Sequence, residues 1–120
     1  MKQDKRTGDA LRFAANLIEE RGMGKRYCVD EAGYTVNNPL APNAYQYNAW
    51  GALAVGAAEY DIAIHIVVNG LLLFVHVDTG MYEQSIQKWM KRKSERKVID
   101  TFRRAADYND NEIIKMDLTS

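Results

Sequence analysis

The sequence predicts a single, mainly α domain (α+β): a compact bundle of four or five helices with one small β-hairpin. Three observations predict it. Apolar residues recur at helical spacing near both ends of the chain, at Ala10, Phe13, Ala14, Leu17 and Ile18 and again at Val98, Ile99, Phe102, Ala105 and Ala106. The densest apolar run, from Asn48 to Val77, is cut by Glu59, Tyr60 and Asp61, so it reads as two buried helices in succession. Two short β-prone runs, 27–29 and 34–36, flank the turn sequence Asp30-Glu31-Ala32-Gly33. The 120 residues suit one domain spanning 1–120 and are enough to bury a core. Residues 1–8 and 109–120 are expected to be flexible tails.

Taken in order, the first helix is expected from Asp9, a residue suited to accept from free N–H groups at a helix start, to Gly22, which is placed to stop it in a left-handed conformation. Gly33 serves the hairpin turn in the same way, and the hairpin must lean on the helices, because two strands alone are marginal. Residues 37–43 hold both prolines and three asparagines and form a loop. Residues 50–58 are rich in Gly and Ala, at a cost of about 1 kcal/mol per glycine in a helix. Such small residues make sense where another helix must approach this backbone closely. Residues 61–77 alternate in part (Ile62, Ile64, Ile66), which leaves a strand reading open, but their length favours a helix capped by Asp61. After a break at 78–80, an amphipathic helix over 81–92 carries Tyr82, Ile86, Trp89 and Met90. Ser94 then caps a long helix over 95–107.

Composition excludes several classes. Sixteen basic residues balance sixteen acidic ones, so net charge alone suggests no nucleic-acid partner. The single cysteine excludes an internal disulfide and a cysteine-based metal cluster. The N-terminal residues lack the apolar core of a signal peptide, and no uncharged run reaches the ~18–20 residues a bilayer needs. A soluble, cytoplasmic protein without cofactor, metal or membrane partner is expected.

Local chemistry is sparse. The sharpest feature is basic: Lys88, Lys91, Arg92, Lys93, Arg96, Lys97, Arg103 and Arg104 make up eight of the 16 Lys and Arg residues, against Glu95 and Asp100. Several lie opposite the Val98/Ile99/Phe102 face and would attract phosphates or an acidic protein surface. The plainer reading is a solvated helix face neutralised in part by Asp107, Asp110, Glu112 and Asp117. Asp61 and His65, four apart, could orient an imidazole for base catalysis or simply bond at a helix start. Cys28 is a nucleophile only if a histidine approaches; otherwise it is a small buried hydrophobe. The run Gly22-Met23-Gly24-Lys25 lacks the context and the Ser/Thr of a phosphate-binding loop. Tyr45 and Tyr47 beside Trp50 make either an aromatic platform or the lid of a buried helix.

Several segments together resemble a small uncharacterised family found in phages and actinobacteria. They are 11–22 (LRFAANLIEERG), the hairpin with Asp30 and Gly33, Ala49-Trp50-Gly51-Ala52-Leu53, Trp89, and 98–106. The resemblance implies a fold and a phage-like context. In that family a Cys often precedes the Ala-x-Gly-Ala-Leu helix and Asn-Asp follows the later Trp. Here those positions hold Asn48 and Met90-Lys91, which counts against an enzyme.

The expectation is therefore a small non-enzymatic binding protein, phage-encoded, acting on a host or defence protein through the basic helical surface. The alternatives are a nucleic-acid-binding module using the same patch and a small enzyme using Asp61/His65 or Cys28. A homo-oligomer is a further expectation, through the small-residue helix and exposed apolar residues of 71–75.

Overall fold

The computed structural model describes residues 4–81, 83 and 85–119. The elements are α1 (Arg6–Arg21), β1 (Cys28–Val29), β2 (Gln46–Tyr47), α2 (Ala49–Glu59), α3 (Ile64–Thr79), α4 (Ile86–Met90) and α5 (Glu95–Thr119). The mainly helical bundle and its one small antiparallel sheet are the architecture expected from sequence.

The 25-residue α5, about 37 Å at 1.5 Å per residue, is the spine. Val98, Ile99, Phe102, Ala105 and Ala106 on its inner face are all at most 1% exposed. α1 runs antiparallel along it. Arg12 reaches Asp107 and Asp110 (2.8 and 2.6 Å), Arg103 reaches Asn16 (3.0 Å), and the Met23 N–H donates to Glu95 Oε1 (2.6 Å). α3 lies antiparallel on the other flank, with Phe74 5.7 Å from Tyr108 between ring centroids and Asn109 Nδ2 donating to the Gly70 carbonyl (3.2 Å). α2 packs against α1, and Trp89 of α4 stacks on Phe102 at 6.4 Å.

α1 starts earlier than the sequence suggests. Asp9 falls in its first turn, Lys5 is the cap position without a side-chain bond, and Asp4 just before it accepts from the Arg6 N–H (2.8 Å), Nε (3.0 Å) and Nη2 (2.7 Å). Arg6 Nη1 continues to the Asp61 carbonyl (2.6 Å), tying this helix start to the α2–α3 turn. Thr7 is consequently buried at 2% exposure inside a stretch read as a tail. Hydrogen bonds from the Arg6 side chain and then its backbone N–H hold the Asp4 carboxyl at about 2 instead of its usual 3.8. A depressed folded value means the clip is complete above the unfolded value and lost as pH falls through the folded one. NMR of the Arg6 Nε–H should therefore show a protected signal above about pH 4 that fades toward pH 2. An unchanged signal across that window would contradict the clip.

The other end also differs. α5 does not stop near Asp107 but runs through the expected tail, with Asn109 at 1% and Ile113 at 9% exposure. The sheet differs in its partner. β1 pairs antiparallel with β2 (Cys28↔Tyr47, Val29↔Gln46), while the expected partner run, 34–36, touches β1 through one bridge, Val29↔Thr35. The turn itself forms as expected. Asp30 Oδ1 accepts from the N–H groups of Ala32 (3.0 Å) and Tyr34 (2.9 Å), and Gly33 takes φ 91°. Gly22 also takes positive φ (80°), though with extended ψ (155°) rather than the left-handed helical conformation.

Residues 64–79 are helix, which excludes the strand reading. Asp61 does not cap this helix: it sits in the preceding turn at φ 51°, and α3 begins after Ala63 without a side-chain cap. The helix passes through Asp78 and Thr79 and ends at Gly80 in the left-handed conformation (φ 74°, ψ 2°). Of the helix expected over 81–92, Ile86–Met90 is the helical part among the described residues, capped by Ser85 Oγ, which accepts from the Lys88 N–H (3.2 Å); Tyr82 and Gln84 lie outside them. The later cap at Ser94 is present, its Oγ accepting from the Lys97 N–H at 3.2 Å.

The glycines of α2 are used inside the molecule. A Cβ on Gly56 would strike the Ala10 carbonyl of α1, and one on Gly51 the Tyr27 carbonyl. The small-residue face is therefore not open to a second copy, which corrects that route to a homo-oligomer. Within 71–75 only Leu73 is exposed, at 41%.

Candidate functional site

The basic residues lie where α4 turns into α5. Ser85 starts α4, Ser94 starts α5, and 91–93 form the link between them. Buried Ile86 and Trp89 root α4, and Val98 and Ile99 root α5, so the residues between them face outward. Lys88, Lys91, Arg92, Arg96 and Lys97 are exposed, and Lys93 is half-buried.

The structure divides the eight predicted cations into two groups. The arginines have carboxylate neighbours: Arg92 with Glu83 (3.7 Å), Arg96 with Glu19 (3.9 Å), Arg103 with Glu19 (2.6 Å) and Arg104 with Asp78 (2.7 Å). Arg103 and Arg104 also part company. Arg103 lies along α1, held by Asn16 as well, while Arg104 lies over Phe74 of α3, 5.3 Å from the ring centroid. They leave the surface expected to include them. Lys88, Lys91, Lys93 and Lys97 make no ion pair among the described residues. Exposed pairs are worth at most about 1 kcal/mol, so the arginines are oriented rather than locked.

Among the described residues, the acidic C-terminal side chains pair elsewhere. Asp107 and Asp110 bind Arg12, raising its pKa, and Glu112 binds Lys115 (3.3 Å); the side chain of Asp117 lies outside those described. Glu95, the only carboxylate among residues 88–97, is turned onto the Met23 N–H. The glycine-flanked run 22–25 thus does hold an anion, but the anion is the protein's own.

The catalytic candidates are dispersed. Asp61 is outside the helix that carries exposed His65, so the four-residue spacing gives no shared face. Cys28 is 1% exposed, and burial pushes its thiol above the ordinary value, which keeps it protonated and unreactive. Asn48 is a structural cap, its Oδ1 accepting from the Gly51 N–H (2.9 Å). Among the described residues, no group of three or more His, Cys, Asp or Glu is placed to hold a metal. No described helix is long and apolar enough to cross a membrane.

The aromatic platform does not form either. Tyr47 is buried at 6% exposure with desolvation raising its pKa, whereas Tyr45 points to the surface. Sequence reasoning missed the setting of Tyr45. Arg21 lies 4.9 Å over its ring and donates to its carbonyl (3.1 Å), in an open cleft of about 500 Å³ shared with Asp30, Glu31, Pro42 and Asn43. No sequence signal joins these residues, because the cleft depends on β2 pairing with β1.

A family model described as a family of unknown function, DUF6197, matches residues 2–108. No curated protein and no solved structure matches the chain.

Proposed function

We propose, for a chain that belongs to the family of unknown function DUF6197, that it is a non-enzymatic binding protein whose α4–α5 surface docks an acidic face of a protein partner. One observation carries this reading: Lys88, Lys91, Lys93 and Lys97 gather at one joint without an ion pair among the described residues, while the nearby arginines are paired. A protein of zero net charge that leaves a local excess of cations keeps an electrostatic surface for something outside itself. The sealed Cys28 thiol and the separation of Asp61 from the helix of His65 support a binding role over a catalytic one. A phage-encoded protein that occupies a host or defence protein is the context in which we place it.

The test is a titration with fluorescent polyglutamate. Lys91→Glu/Lys93→Glu/Lys97→Glu should weaken binding at about 50 mM salt by tenfold or more, equivalent to about 1.4 kcal/mol. Binding that survives the reversal would refute the surface. A single-stranded oligonucleotide that binds more tightly than polyglutamate would instead assign the same lysines to phosphates.

A further inference from the structure

We infer that the docking surface is composite, with Lys25 and Arg26, about seventy residues away in sequence, forming its second half. This rests on the binding role proposed above. The segment 22–26 is fixed on both sides. Glu95 at the start of α5 accepts from the Met23 N–H (2.6 Å), and the Gly24 N–H donates to the Tyr47 carbonyl of β2 (2.8 Å). Gln46 Nε2 adds a bond to the Arg21 carbonyl (2.9 Å). Lys25 and Arg26 are therefore carried by a pinned segment lying against the first turn of α5.

Both are exposed, and neither makes an ion pair among the described residues. Arg26 Nη1 donates to the Thr35 hydroxyl (3.0 Å), a neutral partner that orients the guanidinium and leaves its charge uncompensated. The acids nearby are mostly occupied. Glu95 serves the Met23 N–H and Glu19 serves Arg103, while Glu20 remains exposed at the end of α1. The field thus comes from three separate pieces of chain: segment 22–26, α4 and the start of α5.

That layout fits a broad acidic face of a folded partner better than a linear chain of phosphates. Five of the six cations concerned (Lys25, Lys88, Lys91, Lys93, Lys97 and Arg26) are lysines. Lysine is a compact point charge on a flexible stem and lacks the planar fork that grips a phosphate in two places.

The experiment uses the full chain, polyglutamate and an unlabelled single-stranded oligonucleotide of equal charge. Lys25→Glu/Arg26→Glu should weaken polyglutamate binding about tenfold at 50 mM salt and flatten its salt dependence. Lys5→Glu/Lys115→Glu, an equal change in net charge away from this surface, should change it less than twofold. Thermal melting of each variant reports whether the fold is intact. If Lys25→Glu/Arg26→Glu binds like the parent while Lys91→Glu/Lys93→Glu/Lys97→Glu does not, the composite surface is overturned and the binding role stands. If neither variant weakens binding, both fall. If the oligonucleotide displaces polyglutamate at equal charge concentration, the acidic-protein assignment is overturned.

Discussion

Phe102→Ala should cost about 3–5 kcal/mol of stability, a large share of the total for a domain of this size. Phe102 is fully buried on the inner face of α5 and stacks with Trp89, which is itself only 3% exposed. Truncation leaves a cavity where the spine meets α4, and the aromatic contact is lost with it. The neighbours cannot easily fill the gap, since Val98, Ile99, Ala105 and Ala106 belong to the same rigid helix. Denaturant melts should show a lower midpoint with little change in slope. A loss below about 1 kcal/mol would mean that α5 is not the element around which the core is built.

Gly56→Ala provides the second test, and its sign matters most. In an open helix position this change should stabilise by about 1 kcal/mol, because glycine is the poorer helix former. Here the added methyl meets the carbonyl of Ala10, a 0% exposed residue in α1, and backbone cannot swing aside as a side chain can. Overpacking of that kind costs about 1–3 kcal/mol, and the larger figure outweighs the gain in propensity. A net loss of about 2 kcal/mol is expected in thermal or denaturant melts, with α1 and α2 forced apart. Stabilisation would show that the two helices do not touch at this point.

Much of this fold was legible in the sequence, for identifiable reasons. The run Val98, Ile99, Phe102, Ala105, Ala106 has helical spacing with no competing pattern, and it forms the inner face of α5. Gly51 and Gly56 announced a close approach, and two backbones do approach there, although neither is a second copy of the chain. Gly22 and Gly33 take the positive φ their positions suggest. What failed depends on contacts between distant residues. Asp9 looked like a cap because nothing local reveals that Arg6, held by Asp4, would reach the distant Asp61 carbonyl and that the helix would start earlier. The strand Gln46–Tyr47 is two residues long, too short for alternation to show, and its pairing is fixed by distant Cys28–Val29. Ser85 caps a helix shorter than the one expected over 81–92.

The candidate site was only half legible. Charge spacing marked eight cations, but which of them share a surface and which are paired are properties of the fold. Nothing in the sequence around Arg103 and Arg104 shows that adjacent arginines turn to opposite flanks of α5, one to Glu19 and the other to Asp78. Nor could local sequence reveal that Glu95 is turned onto the Met23 N–H, two residues before Lys25.

The central claim is that the lysines at the α4–α5 joint form the surface a partner's carboxylates touch. Carbodiimide coupling of polyglutamate to the native chain, followed by peptide mass mapping, reads this directly, because the reagent joins a carboxylate only to an amine beside it. Adducts should concentrate on Lys88, Lys91, Lys93 and Lys97, with Lys25 of the adjoining segment, at about 50 mM salt and fall away as salt screens the attraction. Adducts spread evenly over all the lysines, or gathered on Lys5 and Lys115, would contradict it.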